Sequence, residues 1–171
     1  MGASNVDRTR RTFVSYIDRT REFYMAQGYA NPYQWAYFDE VLFRRLPGAL
    51  SESRLTLITT ASPFREEDAT STGLLMSKEV WAGPAEAPPA RLFTADLAWD
   101  KETTHTDDLD SFFPIHHLQE LVEAGRIGSL AARFHGVPTE YSQRRTIERD
   151  GPEILRRCRE DEVDAALLVP L

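Results

Sequence analysis

The chain has 171 residues and a net charge of −7 at pH 7, and its hydrophobic fraction of 42% is that of a globular domain. Its acidic balance lacks the excess of Lys and Arg that nucleic acid or anionic lipid requires, so neither partner is expected. No apolar run approaches the ~20 residues of a membrane-spanning helix, and the amino-terminal residues contain no apolar signal core. We therefore expect a single cytoplasmic domain over residues 1–171.

The first half of the chain predicts one long helix followed by strands. Apolar residues recur with helical spacing over Asp7–Gln27, and Gly28 is placed to end that helix. The β-branched, apolar segment Arg54–Thr60 predicts a strand. The stretch Arg65–Pro89 is rich in acidic residues, Gly and Pro, and predicts a surface excursion with one short strand near Glu79. A second strand is expected at Arg91–Leu97.

The middle of the chain predicts a loop, a helix and a strand in that order. The segment His105–Asp110 is an acidic loop. A helix is expected from Pro114, where a missing N–H costs nothing, to about Ala124, and Gly125 is placed to end it. The residues from Ile127 to Phe134 then predict a turn and a strand.

The last third predicts a helix and a final strand. Asp150 followed three residues later by Glu153 indicates an N-cap with a capping-box partner. The uninterrupted apolar run Ala165–Val169 is typical of a strand buried on both faces of a parallel sheet. Strands alternating with helices predict a layered α/β domain, with a mostly parallel sheet flanked by helices and a flavodoxin-like character.

Six polar residues are candidates for lining a substrate site. His135 comes at the carboxyl end of a predicted strand, and Gly136 would let the backbone approach a ligand. The acidic loop has the residue types of a metal site, but its spacing matches no standard motif, so a solvated loop and a substrate-binding loop both stay open. Farther on, Arg144 or Arg145 is suited to hold a carboxylate. The candidates are His105, Asp108, Asp110, His135, Ser142 and Arg144.

Cys158 is the only cysteine, so the chain cannot form an internal disulfide. It shares the apolar side of a predicted helix with Ile154 and Leu155, which favours a small buried residue over a reactive thiolate. No phosphate loop or nucleophile elbow occurs, and neither a cofactor nor a bound metal is expected.

An ordered set of segments resembles the glycine/sarcosine/betaine reductase selenoprotein B family, which includes subunits similar to D-proline reductase. The resemblance spans most of the chain and is weakest between Arg65 and Pro89. It rests on Tyr24–Trp35, Leu57–Ala61, Asp110–Ile115, Leu121–Gly128, Arg133–Gly136 and Asp164–Pro170.

In that family the strand similar to Ala165–Val169 leads through Pro to a Cys or selenocysteine, two further residues and a Cys at the start of a helix. A thiolate or selenolate there is stabilised by the helix dipole, and the second Cys can resolve it. This sequence stops at Leu171, before that pair. Three explanations stay open: a selenocysteine codon read as a stop, a truncation, or a natural paralogue that binds a ligand without redox chemistry.

The resemblance implies a dithiol-linked reductive cleavage of a small substrate such as glycine, sarcosine, betaine or D-proline. It also implies that this chain is the amino-terminal part of a longer family fold and is inactive alone. The expected partners are that substrate and a partner reductase subunit or dithiol reductant, with homo-oligomers left open. The alternatives are a non-catalytic binding or assembly module and, third, a metal-dependent hydrolase that uses the loop containing His105 and Asp110.

Overall fold

A computed structural model of the chain describes residues 16–31, 40, 44–63, 79–93, 105–138 and 142–170. Contacts within it divide the chain into two compact units, Met1–Leu42 and Phe43–Leu171. None of the helices in these described ranges combines the length and the apolar character needed to cross a membrane.

The first unit contains helix α1, Tyr16–Ala26. Gly28 adopts a φ of +89°, and its N–H donates to the carbonyl of Met25 while the N–H of Tyr29 donates to that of Tyr24. This pair of bonds satisfies the last carbonyls of the helix in a Schellman motif, which needs a residue without a Cβ at this point. The predicted end of the first helix is confirmed, and its predicted start lies outside the described residues.

The second unit is built on a five-stranded sheet in which β1, Arg54–Thr59, is central. β5, Ala165–Val169, pairs in parallel with β1 over its whole length. β3, Ser129–Leu130, and β4, Arg133–Gly136, pair in parallel with the start and the end of β1. Since a strand has two edges, β3 and β4 must share the edge that β5 leaves open. β2, Trp81–Pro84, adds antiparallel to β4, and the mostly parallel sheet is confirmed.

The crossover connections place helices on both faces of this sheet. α2, Ile115–Glu123, leads from β1 to β3. After β4, a short α3, Gln143–Arg145, continues through a π-helical segment, Thr146–Asp150, into α4, Gly151–Glu160, which leads to β5. Because β4 and β5 lie on opposite sides of β1, right-handed crossovers put α2 and α4 on opposite faces.

The α2 face of the sheet carries the apolar core. Leu57 and Phe134 point to this face and share one buried cluster with Ile115 of α2. The ring centroid of Phe134 lies 4.8 Å from that of Phe113 and 5.5 Å from that of Trp81, in edge-to-face geometry. Such aromatic pairs add stability beyond the area that they bury.

The α4 face buries a more polar set of side chains. Thr56 and His135 point to this face, since Leu57 and Phe134 point to the other, and Ile154 and Cys158 of α4 are buried there. The hydroxyl of Thr56 donates to the carbonyl of Arg133 at 3.0 Å. At the end of α4, the Arg133 guanidinium pairs through Nε with Asp161 at 2.7 Å and through Nη2 with Glu160 at 3.0 Å.

The last helix, α4, begins at Gly151 as predicted, but the prediction that Asp150 caps it is wrong, because the helical turns from Gln143 to Asp150 already precede it. Asp150 has helical dihedral angles and makes no side-chain capping bond. Pro152 lacks an N–H for the carbonyl of Glu148 and cannot continue a regular α-helix. The chain adapts with a π turn in which the N–H of Gly151 donates to the carbonyl of Thr146, five residues back.

The prediction that β5 is buried on both faces is also wrong. Leu168 is 69% exposed on the α4 face, and Leu167 is 39% exposed on the α2 face. The physical reason is position: among the described strands β5 pairs with β1 alone, so it is an edge strand. An apolar run predicts strand formation but not the layers that would cover it.

Two other predicted strands differ from the structure. The short strand expected near Glu79 forms at Trp81–Pro84. Of the strand expected over Arg91–Leu97, the structure has an isolated bridge in which the N–H of Phe93 donates to the carbonyl of Ser62 at 2.7 Å. The rest of that segment lies outside the described residues.

Candidate functional site

The carboxyl ends of three parallel strands meet in one row of the sheet. Thr59 of β1 is in register with Gly136 of β4 on one side and with Val169 of β5 on the other. Ala61, two residues after β1, is buried in the apolar cluster of the α2 face, whereas α4, which follows β4 in the chain, packs on the other face. Such a reversal between neighbouring parallel strands opens a crevice at their carboxyl ends, where α/β proteins bind ligands.

In the order of the chain, the six predicted substrate-site residues flank elements that begin or end at this edge. α2 and α4 each lead back to the start of the next strand, so both helices begin at the carboxyl edge. His105, Asp108 and Asp110 precede α2, whereas Ser142 and Arg144 lie at the start of α3, after His135 at the end of β4. Within the described part of the chain no hydrogen bond joins two of the six. They therefore form two groups, one towards each face.

Asp110 is committed to the start of α2. One carboxylate oxygen accepts the backbone N–H of His116 at 3.0 Å, and the other lies 2.7 Å from Nδ1 of the same residue. A carboxylate here satisfies an otherwise unpaired N–H and complements the helix dipole. Asp110, which the sequence suggested for metal or substrate binding, therefore has a structural role in this conformation.

The rest of the acidic loop is open to solvent. Nδ1 of His105 accepts the N–H of Asp107 at 3.3 Å, and the Asp107 carboxylate pairs with Arg91. Asp108 is exposed and precedes a 3-10 turn without a side-chain cap. Among the residues that the structure describes, no three His, Cys, Asp or Glu side chains come close enough to hold a metal ion.

His135 is completely buried, at 0% exposure, and neither ring nitrogen has a hydrogen-bond partner among the residues that the structure describes. Burial lowers the pKa of this imidazole, the Arg133 and Arg157 guanidiniums lower it further, and Asp161 and Glu153 oppose the shift. The ring is therefore neutral at pH 7. A buried polar group without a partner costs stability, and where such a group persists it calls for an explanation.

Ser142 and Arg144 occupy the start of α3. The Ser142 hydroxyl accepts the N–H of Arg145 at 3.3 Å and caps the helix, and its carbonyl accepts the hydroxyl of Thr146 at 3.2 Å. Arg144 is exposed to solvent. Ser142 therefore fixes where α3 begins, and so fixes the direction of the guanidiniums that follow it.

A cleft of about 380 Å³ lies on the α4 face of the carboxyl edge. We call it the charged cleft, because five of its six lining residues are ionisable. β2 begins beside the end of β4, since Trp81 is in register with Gly136, and the two residues before it line one wall. The lining residues are Glu79, Val80, Arg149, Asp150, Glu153 and Arg157.

Ion pairs span the charged cleft. Nη2 of Arg149 lies 2.7 Å from each carboxylate oxygen of Glu79. Arg145 reaches the same region: its Nη2 lies 3.8 Å from Glu79 and its Nε lies 3.7 Å from the buried carboxylate of Asp150. The cleft thus brings guanidiniums and carboxylates together within the reach of one small molecule.

Arg157 connects the α4 wall of the cleft to the residue before β2. Its Nε donates to Glu153 at 2.7 Å, and its Nη2 donates to the carbonyl of Val80 at 3.4 Å. Hydrogen bonds from Arg156 and Arg157 lower the pKa of Glu153 to about 2, so this carboxylate is charged throughout the physiological range.

A second cleft, of about 440 Å³, lies at the amino ends of β1 and β3. Its polar lining is already bonded internally, since Arg54 donates to the hydroxyl of Ser129 at 3.4 Å and to the carbonyl of Asp161 at 2.9 Å. Ligands of α/β sheets bind at the opposite edge, so the charged cleft is the better candidate.

One sequence pattern indicates the charged cleft, and it includes Arg145 rather than the predicted Arg144. Arg145, Arg149, Glu153 and Arg157 recur every four residues, a spacing that aligns side chains on one side of a helix. Glu79 could not be found in this way, because its contact with Arg149 joins residues 70 positions apart.

The prediction that Cys158 is structural is confirmed. The thiol is free and buried against the sheet. Burial raises its pKa, Asp161 raises it further, and Arg133 opposes the shift. The thiolate that nucleophilic or redox chemistry needs is therefore disfavoured at this position.

Comparison of the chain with family models, with curated proteins and with solved structures returns no match. The family resemblance drawn from the sequence stays a prediction.

Proposed function

We propose that this chain supplies the substrate-binding part of a reductase similar to the selenoprotein B family, and that its small substrate binds at the carboxyl edge of the sheet. The observation that carries the proposal is the register row Thr59, Gly136 and Val169. The family's redox residue follows the position of Pro170, one residue beyond that row. A substrate bound beside the end of β4 would therefore lie about 10 Å, two strand spacings, from the end of β5.

The charged cleft supports this proposal chemically. Guanidiniums bind carboxylates through directed, charge-assisted hydrogen bonds, and nearby carboxylates suit an amino or alkylammonium group. Arg145 and Asp150 illustrate the pairing, with 3.7 Å between Nε and Oδ1. The cleft size suits a small molecule rather than a polymer.

A non-catalytic binding module is the second candidate, and the burial of Cys158 favours it. The only thiol of the chain is buried and has a raised pKa, so these residues offer binding groups without a redox couple. The third candidate, a metal-dependent hydrolase, has no observation in its favour, because Asp110 already caps α2.

Ligand-induced thermal stabilisation of the purified chain tests the binding step. We expect glycine, sarcosine, betaine or D-proline to raise the melting temperature, since a ligand at 100 times its Kd stabilises by about 2.7 kcal/mol. Methylamine, which lacks the carboxylate, is the matched control. If all four compounds act no better than methylamine, the proposal fails.

A nitroxide label separates the two leading candidates. In the Cys158→Ser background, a label on Pro170→Cys would broaden the proton signals of bound betaine if the ligand lies near the end of β5. The same label on Arg126→Cys, beyond the end of α2 at the opposite edge, is the control. Equal broadening from both positions would contradict the reductase-like placement and leave the binding module.

Turnover is the complementary measurement. With dithiothreitol as reductant, we expect no substrate cleavage by this chain, and the same result for Cys158→Ser. Cleavage that survives Cys158→Ser would show that other groups of the chain perform the chemistry.

A further inference from the structure

We infer that His135 and Arg157 together form the inner end of the charged cleft, and that the carboxylate of a small ligand accepts hydrogen bonds from both side chains. The inference rests on the proposed function only in assuming that this edge of the sheet binds a small molecule. It adds the chemical group of that molecule which is recognised and the two residues that recognise it.

Side-chain exposure shows which part of the sheet α4 covers. On the α4 face, Thr56 of β1 and His135 of β4 are buried, at 2% and 0% exposure. On the same face, Leu168 of β5 is 69% exposed, and Ala82 of β2, which is in register with His135, is open to solvent. The helix therefore lies over β1 and β4, and the His135 ring lies beneath the side of the helix that faces β2.

Arg157 reaches from α4 across the end of β4. Its Nη2 donates to the carbonyl of Val80, the residue before β2. Since β4 lies between β1 and β2 in the sheet, a side chain that joins α4 to this carbonyl passes over β4. The Arg157 guanidinium also lowers the pKa of the His135 imidazole, an effect that requires the two groups to be close. The guanidinium, which lines the cleft, therefore lies between the open cleft and the buried ring.

Arg157 is anchored firmly and still has N–H groups available for a ligand. Glu153 accepts its Nε–H at 2.7 Å, and Arg156 holds the same carboxylate at 2.8 and 2.9 Å. The contact with Val80, at 3.4 Å, is long for a hydrogen bond. Nη1 of Arg157 makes no hydrogen bond within the described ranges. A ligand can therefore accept hydrogen bonds from this guanidinium without breaking its anchor to Glu153.

The unused hydrogen-bonding groups identify the chemistry of the ligand. Both ring nitrogens of His135 lack a partner in the part of the chain that the structure describes, and a neutral imidazole carries one N–H donor. A carboxylate only accepts hydrogen bonds, and its two oxygens can accept from an imidazole and a guanidinium at the same time. A neutral amide gains less, because it forms no charge-assisted bond with Arg157. The site is therefore suited to a small carboxylate.

The buried imidazole favours binding because the free chain already bears the cost of leaving it without a partner. To reach the ring, the ligand takes Nη2 of Arg157 from the carbonyl of Val80, which is the weaker of the two contacts of this guanidinium. The ligand then supplies the missing partner of His135, so the cost of its burial is removed on binding. The anchored guanidinium also limits the ordering that binding requires.

The test is an NMR titration of the full ¹⁵N-labelled chain with acetate and with its neutral analogue acetamide. We expect acetate to shift the ring nitrogen signals of His135 and the side-chain signals of Arg157, because both groups donate to it. Acetamide should shift them far less. His135→Leu assigns the ring signals and should bind acetate about tenfold more weakly, the effect of losing a hydrogen bond to a charged group.

Matched variants separate this pair from other histidines and arginines. His117→Leu removes an imidazole of α2 that is 65% exposed, and it should leave the affinity for acetate unchanged. Arg157→Gln should abolish the acetate-dependent shift of the His135 ring. Arg156→Gln removes a guanidinium from the same Glu153 carboxylate and should preserve that shift. Thermal melts confirm that each variant is folded.

The inference is overturned if acetate leaves the His135 ring signals unmoved, or if His135→Leu binds acetate as tightly as the native chain. It is also overturned if Arg156→Gln loses the shift as fully as Arg157→Gln does. Binding of betaine or D-proline without a shift of the His135 ring would overturn the inference and leave the proposed function standing. Failure of glycine, sarcosine, betaine and D-proline to bind, with acetate behaving as expected, would instead refute the proposed function alone.

Discussion

Phe134 and His135 are neighbours in β4, and both are 0% exposed, yet the two faces of the sheet treat them differently. Phe134 packs between the rings of Trp81 and Phe113. His135 is buried, and within the described ranges no hydrogen bond reaches either ring nitrogen. Burial of the Phe134 side chain on the α2 face therefore stabilises the fold, whereas burial of the His135 side chain on the α4 face costs stability. Proteins keep such costs where binding or catalysis needs them.

The largest effect expected from this contrast comes from truncating each neighbour. Phe134→Ala should lower the free energy of unfolding by about 3–5 kcal/mol, since it removes buried apolar area and leaves a cavity. His135→Leu should cost far less, or stabilise, because it removes two unsatisfied polar atoms. Urea denaturation measures both. Equal losses would mean that His135 has partners that satisfy it in solution.

Gly136 offers a second way to disturb the α2 face. A Cβ at this position would overlap the indole ring of Trp81, so Gly136→Ala should cost about 1–3 kcal/mol through overpacking. Gly48→Ala, whose Cβ would meet only the flexible end of Glu52 at 3.2 Å, is the matched control. The cost should shrink in a Trp81→Leu background, and a double-mutant cycle in urea measures this coupling.

Helix capping gives an intermediate effect that separates two acidic residues of one loop. Asp110→Ala should lower the free energy of unfolding by about 1 kcal/mol, the usual value of an N-terminal cap, because the N–H of His116 loses its acceptor. Asp108→Ala should change it little, since that side chain caps nothing. Thermal melts at pH 7 decide between them, and a larger loss from Asp108→Ala would contradict the assignment.

The smallest effect is confined to mildly acidic pH. The folded pKa of His135 is lowered by burial, so as pH falls below about 6.5 the unfolded chain binds a proton first and stability falls. The loss at pH 6 should be less than about 1 kcal/mol. Comparing melts of the native chain and His135→Leu from pH 7.5 to 6 isolates it. Glu153, whose pKa is about 2, titrates well below this window, and a native curve as flat as the variant's would refute the shift.

Local signals predicted much of the fold. Gly28 and Gly125 end their helices with φ values of +89° and +65°. Both ends could be predicted, because helices commonly end at a residue with a left-handed conformation and that residue is usually Gly. β1 and α2 also form where their apolar patterns indicate. These elements depend on residues a few positions apart, which is the range that periodicity can detect.

Long-range geometry accounts for what could not be predicted. The start of α4 after Asp150 is predicted correctly, but not the helical turns before it, because Pro152 is consistent both with a first-turn proline and with a π turn. The apolar residues of β5 predict a strand, but they do not predict that this strand lies at the edge of the sheet. In the candidate site, the sequence could not point to Glu79, because its partner Arg149 is distant in the chain. It also could not show that Asp110 and Ser142 are occupied by helix capping.

The π turn before Pro152 sets the angular phase between the two halves of the helix that lines the charged cleft. Each residue advances an α-helix by 100°, so the extra residue between Thr146 and Asp150 shifts Arg145 and Arg149 relative to Glu153 and Arg157 by up to about that angle from their places on a regular α-helix. Removing one residue here together with Pro152→Ala would allow regular α-helical bonding and change which of these side chains face the cleft. The length of this segment, as much as the identity of its residues, therefore encodes the site.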